Sequence, residues 1–145
     1  MEATLLENFR VYLVNNNPEL VLMNVERYSL SRYISDKMEQ VRPLMKRLLE
    51  EGHPGYLVSL ICHSKLIEGL RPSKANYIKE ILESDFPTEN FRMKEYGVLT
   101  YGVVNLIELC EPLFQAYSFN EENLLSQLLR CDVVSVVHDY LVRRG

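Results

Sequence analysis

Leu125-Ser126-Gln127-Leu128-Leu129-Arg130-Cys131-Asp132-Val133-Val134-Ser135-Val136-Val137-His138-Asp139-Tyr140-Leu141 is the stretch on which the fold class turns. Its centre, Val133 to Val137, is rich in β-branched residues and taken alone has the propensity of a strand. The longer segment has a different rhythm. Leu125, Leu128, Leu129, Val133, Val136, Val137, Tyr140 and Leu141 recur with a period near 3.6, and propensity is the weaker signal. The segment is therefore predicted to be helical throughout, capped by Asn120. Glu121 and Glu122 suit the positive end of its dipole, and Arg143 and Arg144 the negative end.

Helical periodicity governs the rest of the chain. A fifth helical region is expected from about Met93 to Tyr117, with Val103, Val104, Ile107, Cys110, Phe114 and Tyr117 inward. Gly97 and Gly102 loosen its start, and Pro112 is a point at which it could divide. Thr88-Glu89-Asn90 reads as a linker after Phe86-Pro87. Ser73 caps a preceding helix that turns Tyr77, Ile78, Ile81 and Leu82 inward. The helix before that starts near Pro54, ends at Gly69 and is expected to bury Leu57, Leu60 and Ile61, with Ser64 a further candidate for the same face. A longer stripe runs through Leu30, Tyr33, Ile34, Met38, Val41, Met45, Leu48 and Leu49, with Ser29 or Ser31 as cap and Gly52 as stop. Pro43 lies inside it and predicts a kink or break near Glu39 to Arg42. Leu5, Leu6, Phe9, Tyr12 and Leu13 mark a first helix capped by Thr4 and stopped at Asn15-Asn16-Asn17-Pro18. Glu19 to Tyr28 reads as a loop with at most a short helical turn. The expectation is an all-α fold, a compact bundle of about five or six helices. It forms a single domain over residues 1–145, with residues 86–92 as a candidate subdomain hinge.

Composition agrees. The chain has 145 residues, of which 47% are hydrophobic and 25% charged, with a net charge of −4. Size scaling lets a chain of this mass bury about two-thirds of its surface, enough for a core without disulfide or metal staples. The start, Met1-Glu2-Ala3-Thr4-Leu5-Leu6-Glu7, lacks the basic and apolar regions of a secretory signal. Apolar runs such as Tyr56 to Cys62 are broken well short of the ~20 residues a bilayer crossing needs. Cys62, Cys110 and Cys131 share no short spacing and are expected to be reduced and mostly buried. A cytoplasmic, membrane-free protein is the expectation.

Residue types that carry chemistry occur, but not in the patterns that chemistry needs. Glu50-Glu51-Gly52-His53 is a lone Glu-x-x-His where a di-metal bundle site needs two. Cys62 and His63 adjoin, but neighbours on a helix point about 100° apart, so they do not face each other. His138-Asp139 reads as a surface pair, and Glu108 and Glu111 as solvated acids. No zinc-type cysteine pair, phosphate-binding glycine loop or dinucleotide fingerprint occurs. No catalytic residue, metal ligand or cofactor is expected.

One constellation suggests nucleic acid. Two helices joined by Gly69-Leu70-Arg71-Pro72-Ser73 outline a helix–turn–helix, with Lys65, Arg71, Lys74 and Lys79 as cations to neutralise phosphates and Asn76 and Tyr77 near them. Glu68, Glu80, Glu83 and Asp85 cancel that patch. Residues 1–50, 51–100 and 101–145 carry net charges of 0, −1 and −3, so no region has the basic footprint of a DNA-binding domain. Nine Tyr and five Phe with no Trp suit bundle edges and interfaces, since Tyr buries its ring and keeps its hydroxyl wet. The sequence leaves the burial of Tyr28, Tyr33, Tyr56, Tyr96 and Tyr101 open.

An ordered set of short stretches carries a resemblance. These are Asn17-Pro18-Glu19-Leu20, Gly69-Leu70 with Ser73-Lys74, Ile81-Leu82-Glu83 with Asp85-Phe86, Cys110-Glu111-Pro112-Leu113-Phe114 with Tyr117, and Tyr140-Leu141 before Gly145. Together the chain resembles a bacterial family of small helical proteins classed only as a conserved domain of unknown function and associated with conjugative elements of gut and oral anaerobes. It departs from the family at Pro43, and at Asn120 to Asp132, which lacks the family's acidic, proline-containing run. The resemblance implies an all-α fold and supplies no activity, cofactor or catalytic residue. The functional expectation is a non-enzymatic helical protein-interaction or accessory module, with self-association among its modes. The alternative is a nucleic-acid-binding accessory protein using the turn and helix around 69–84.

Overall fold

The computed structural model describes residues 1–23 and 30–144. The described residues contain no strand, and their helices are α1 (Glu2–Asn16), α2 (Pro18–Met23), α3 (Leu30–Glu50), α4 (Gly55–Leu66), α5 (Lys74–Asp85), α6 (Pro87–Glu95), α7 (Leu99–Ala116) and α8 (Gln127–Arg144), with a 3₁₀ turn at Glu121–Asn123. The valine-rich run lies inside α8, so the longer period prevails over local strand propensity. Ser29 as a cap and the burial of Tyr28 lie outside the described residues.

Eight α-helices among the described residues replace the five or six expected. Pro18 and Pro87 each open a helix, where the missing N–H would have had no partner in any case and the fixed φ suits the first turn. Thr88-Glu89-Asn90 is therefore the first turn of α6 and not a linker. The region from Met93 to Tyr117 is two helices. Gly97 (φ +69°) ends α6 as the left-handed residue of a Schellman motif: its amide donates to the Lys94 carbonyl at 3.1 Å, and that of Val98 to Met93 at 3.0 Å.

The two internal prolines do not end their helices. α3 continues through Pro43 and α7 through Pro112. Pro43 removes one helical bond, a cost of about 3 kcal/mol. Met38 and Val41 before it and Met45 and Leu48 after it are all buried in one core. At roughly 1.5–3 kcal/mol for each large apolar side chain, that burial outweighs the loss. Thr4 lies inside α1, which starts at Glu2 with Met1 at the capping position.

Backbone contacts divide the chain into two compact units, residues 1–71 and 72–145. In the first, Leu5, Phe9 and Leu13 of α1 and the α3 stripe meet Val58, Cys62 and Leu66 of α4. Leu57 and Ile61 are only partly buried and Leu60 is exposed, so the inner face of α4 differs from the expected one. The run Tyr56 to Cys62 is apolar almost all round, and packing against α1 and α3 chooses the face.

In the second unit, Ser73 caps α5, its Oγ accepting from the Asn76 amide at 3.1 Å. Ala75, Ile78, Ile81 and Leu82 of α5 pack with Val103, Leu106, Ile107, Cys110 and Phe114 of α7 and with Leu129, Val133 and Val137 of α8. The rings of Tyr77 and Phe119 lie 6.0 and 4.8 Å from that of Phe114. Asn120 caps the 3₁₀ turn and not α8: its Oδ1 accepts from the Glu122 amide at 2.7 Å, and Asn123 Oδ1 accepts from the Asn120 amide at 2.8 Å. The expected stripe therefore begins too early. Leu125 is 91% exposed and Leu128 is exposed beside it.

Candidate functional site

The four basic residues do not form one patch on either unit. Lys65 and Arg71 belong to the first unit, Lys74 and Lys79 to the second. Lys65 pairs with Glu68 at 3.1 Å. Lys74 bonds both carboxylate oxygens of Glu111 at 2.9 Å and lies 5.4 Å over the Phe114 ring. Lys79 is five residues further along α5, so the two point about 140° apart. Arg71 is exposed. Tyr77, named with these cations but also placed inward by the periodicity of α5, is a core residue.

The cysteine and histidine candidates are structural in geometry. Cys62 and Cys110 are buried and Cys131 is exposed. Burial pushes the Cys62 thiol up and that of Cys110 up to about 12, away from the thiolate a nucleophile needs. Burial holds the His63 imidazole below its ordinary value, and its ring meets Tyr12 edge-on at 5.7 Å. His53 lies 3.3 Å from Glu51, beyond the end of α3. No group of three His, Cys, Asp or Glu that could hold a metal occurs among the described residues. Among the described residues, no helix is long and apolar enough to cross a membrane.

What the structure does assemble is a groove in the second unit. The Gly97 turn sets α6 and α7 side by side, so that Arg92, Met93 and Tyr96 form one wall and Tyr101, Gly102 and Asn105 another. Tyr140 and Leu141 of α8 close a cavity of about 630 Å³ between them. A side chain at Gly102 would overlap the Met93 methyl, so the missing Cβ lets the thioether lie on the α7 backbone. Asn105 Nδ2 donates to the Tyr140 hydroxyl at 3.1 Å. At the other end of the α7–α8 pair the Tyr117 hydroxyl donates to Asp132 at 2.6 Å, which fixes the two helices as antiparallel. A second cavity of about 300 Å³, lined by Leu109, Val136, Asp139, Tyr140 and Arg143, shares Tyr140 with the first.

Large apolar side chains are left out in water around this groove. Tyr96 is 77% and Tyr101 63% exposed, and Val98 and Leu109 are exposed with them. Grouped apolar exposure of this kind marks binding surfaces more often than chance placement does. Tyr96 and Tyr101 were among the tyrosines the sequence left open. Met93, Asn105 and Tyr140 were not singled out as site residues. The available signal was Asn105, a polar residue on the otherwise apolar stretch Val103 to Ile107.

In the first unit, Tyr56 is exposed and Tyr33 partly buried. A cleft of about 410 Å³ between α1 and α3 has its Glu2 and Arg42 already paired at 2.8 Å. No protein-family model, curated protein or solved structure matches this chain.

Proposed function

We propose that the protein is a non-enzymatic helical interaction module that holds a protein partner in the α6–α7–α8 groove. The observation that carries this reading is the cluster of Tyr96, Val98, Tyr101 and Leu109, exposed around two cavities that share Tyr140. Tyr is favoured at such sites because a rigid ring supplies contact area at low entropic cost and its hydroxyl tolerates the wet rim. The resemblance to helical proteins near conjugative elements fits an accessory role of this kind. Nucleic-acid binding has less support, since Lys65 and Lys74 are engaged by Glu68 and Glu111.

The test is site-directed photocrosslinking. A photoreactive phenylalanine analogue replaces Tyr101, and in a control chain Glu83 on the exposed side of α5. The expected result is a discrete crosslinked protein from position 101 and none from position 83. Equal labelling from both, or none from either in cells and in concentrated pure protein, overturns the reading.

A further inference from the structure

Resting on that reading, we propose that the occupant of the groove is an amphipathic α-helix whose apolar stripe is flanked by carboxylates. Shape carries the first half. The described residues contain no strand, so they offer no sheet edge to an extended peptide, and recognition falls to side chains in a trough. Tyr101, Asn105 and Leu109 follow one another at intervals of four along α7 and span roughly 12 Å. Their roughly 6 Å spacing is close to one helical turn, so side chains at i, i+4 and i+7 of a docked helix meet successive positions along the trough.

Charge carries the second half. Residues 72–145 contain eleven Asp and Glu against seven Lys and Arg, whereas residues 1–71 contain nine of each. The second unit therefore holds the whole negative charge, yet the trough reverses it locally. Arg92 and Arg143 line it, and neither has a carboxylate within ion-pair distance among the described residues. One acid, Asp139, shares the lining, so two guanidinium groups stand against one carboxylate. A carboxylate-flanked helix is attracted by the two guanidinium groups and repelled by the surrounding acids, which selects both the site and the orientation. The same field weakens the fit of a second copy of this acidic unit.

The test uses a displayed library of 14-residue peptides with Leu at i, i+4, i+7 and i+11. Ala fills the other inner positions, and the flanking positions are drawn from Asp, Glu, Gln, Lys and Arg. Selection is against the full chain. Asp and Glu should be enriched at the flanks, and the selected peptides should be helical when bound. Arg92→Glu should weaken them roughly five- to tenfold and, in a fresh selection, turn the preference at that flank to Lys or Arg. Tyr101→Ser/Leu109→Ser should abolish binding. All three side chains are exposed, and an unchanged melting curve shows that the variants still fold. Enrichment of neutral or basic flanks overturns the proposal, as does binding that survives Tyr101→Ser/Leu109→Ser. Failure to enrich any peptide also overturns it. A crosslink from position 101 to a protein without such a helix, or to a second copy, would retain the interaction reading and refute this one.

Discussion

Replacing Arg130 by Met should destabilise the protein by about 1.5–2 kcal/mol at pH 7. Arg130 stands on α8, 27% of its side chain exposed. It donates to Glu80 at 2.6 Å, to Ser84 at 2.9 Å and to Asp85 at 3.2 Å on α5. Charge-assisted bonds of this length would be worth more if buried. Glu80 is 59% exposed, so its pair is discounted to the range of exposed ion pairs, at most about 1 kcal/mol. The Asp85 and Ser84 contacts supply the rest. Met keeps the aliphatic stem, so packing loss is small. For a chain of this size the change corresponds to a fall in Tm of roughly 4–8 °C.

The effect should depend on pH with a definite sign. The Ser84 hydroxyl, and then Arg130, hold the Asp85 carboxyl below its usual range against the opposing effect of desolvation. A depressed carboxylate contributes stability above its unfolded value near 3.8 and loses it as pH falls through the lower folded value. The guanidinium of Arg130 is pushed further up, chiefly by its bond to Glu80, and stays charged throughout. Urea unfolding followed by circular dichroism should therefore show the full difference between wild type and Arg130→Met from pH 7 down to about pH 5, and a shrinking one below about pH 4. A difference under 0.5 kcal/mol at pH 7 would refute the reasoning about the contacts. One that is unchanged at pH 3 would refute their assignment to a carboxylate.

Three further outcomes follow from the packing. Phe114→Ala removes the ring that Tyr77 and Phe119 enclose and should cost about 3–5 kcal/mol, read as a large fall in the urea midpoint. Ser118, at φ +50°, ends α7 with its amide on the Gln115 carbonyl at 3.1 Å. Ser118→Gly relieves that left-handed residue and should raise stability by about 0.5–1 kcal/mol; a lower melting temperature would contradict this. Titration with a thiol reagent should label Cys131 in the native protein and release Cys62 and Cys110 only with unfolding, because both are buried. Rapid native labelling of either would show that its core opens.

Most helices could be read along the chain because their signals are local. Ser73 before α5, Gly52 after α3 and the stripe of α8 from Leu129 through Val133 to Val137 act within a few residues, and the structure agrees with each. Helices that begin at Pro18 and Pro87 were less legible, since proline reads equally as a stop for what precedes it. The groove was the least legible part. Tyr96 and Tyr101 were visible as undecided tyrosines, and Arg92 and Met93 lay at the edge of what read as a linker. Tyr140 is 35 residues from Asn105, and no local pattern ties a hydroxyl to an amide at that distance.

From the sequence alone come the all-α class, the helix ends at Asn15 to Asn17, Gly52, Ser73 and Phe86, and the lack of chemistry-bearing motifs. Periodicity, capping and residue inventory are properties of neighbouring residues, which explains their legibility. Which face of α4 is buried, that α3 continues through Pro43, and that Lys74 is held by Glu111 are settled by packing. So is the meeting of α6, α7 and α8 around one trough. These features depend on surfaces distant in sequence, where an apolar helix has several faces to offer and only its neighbours select one.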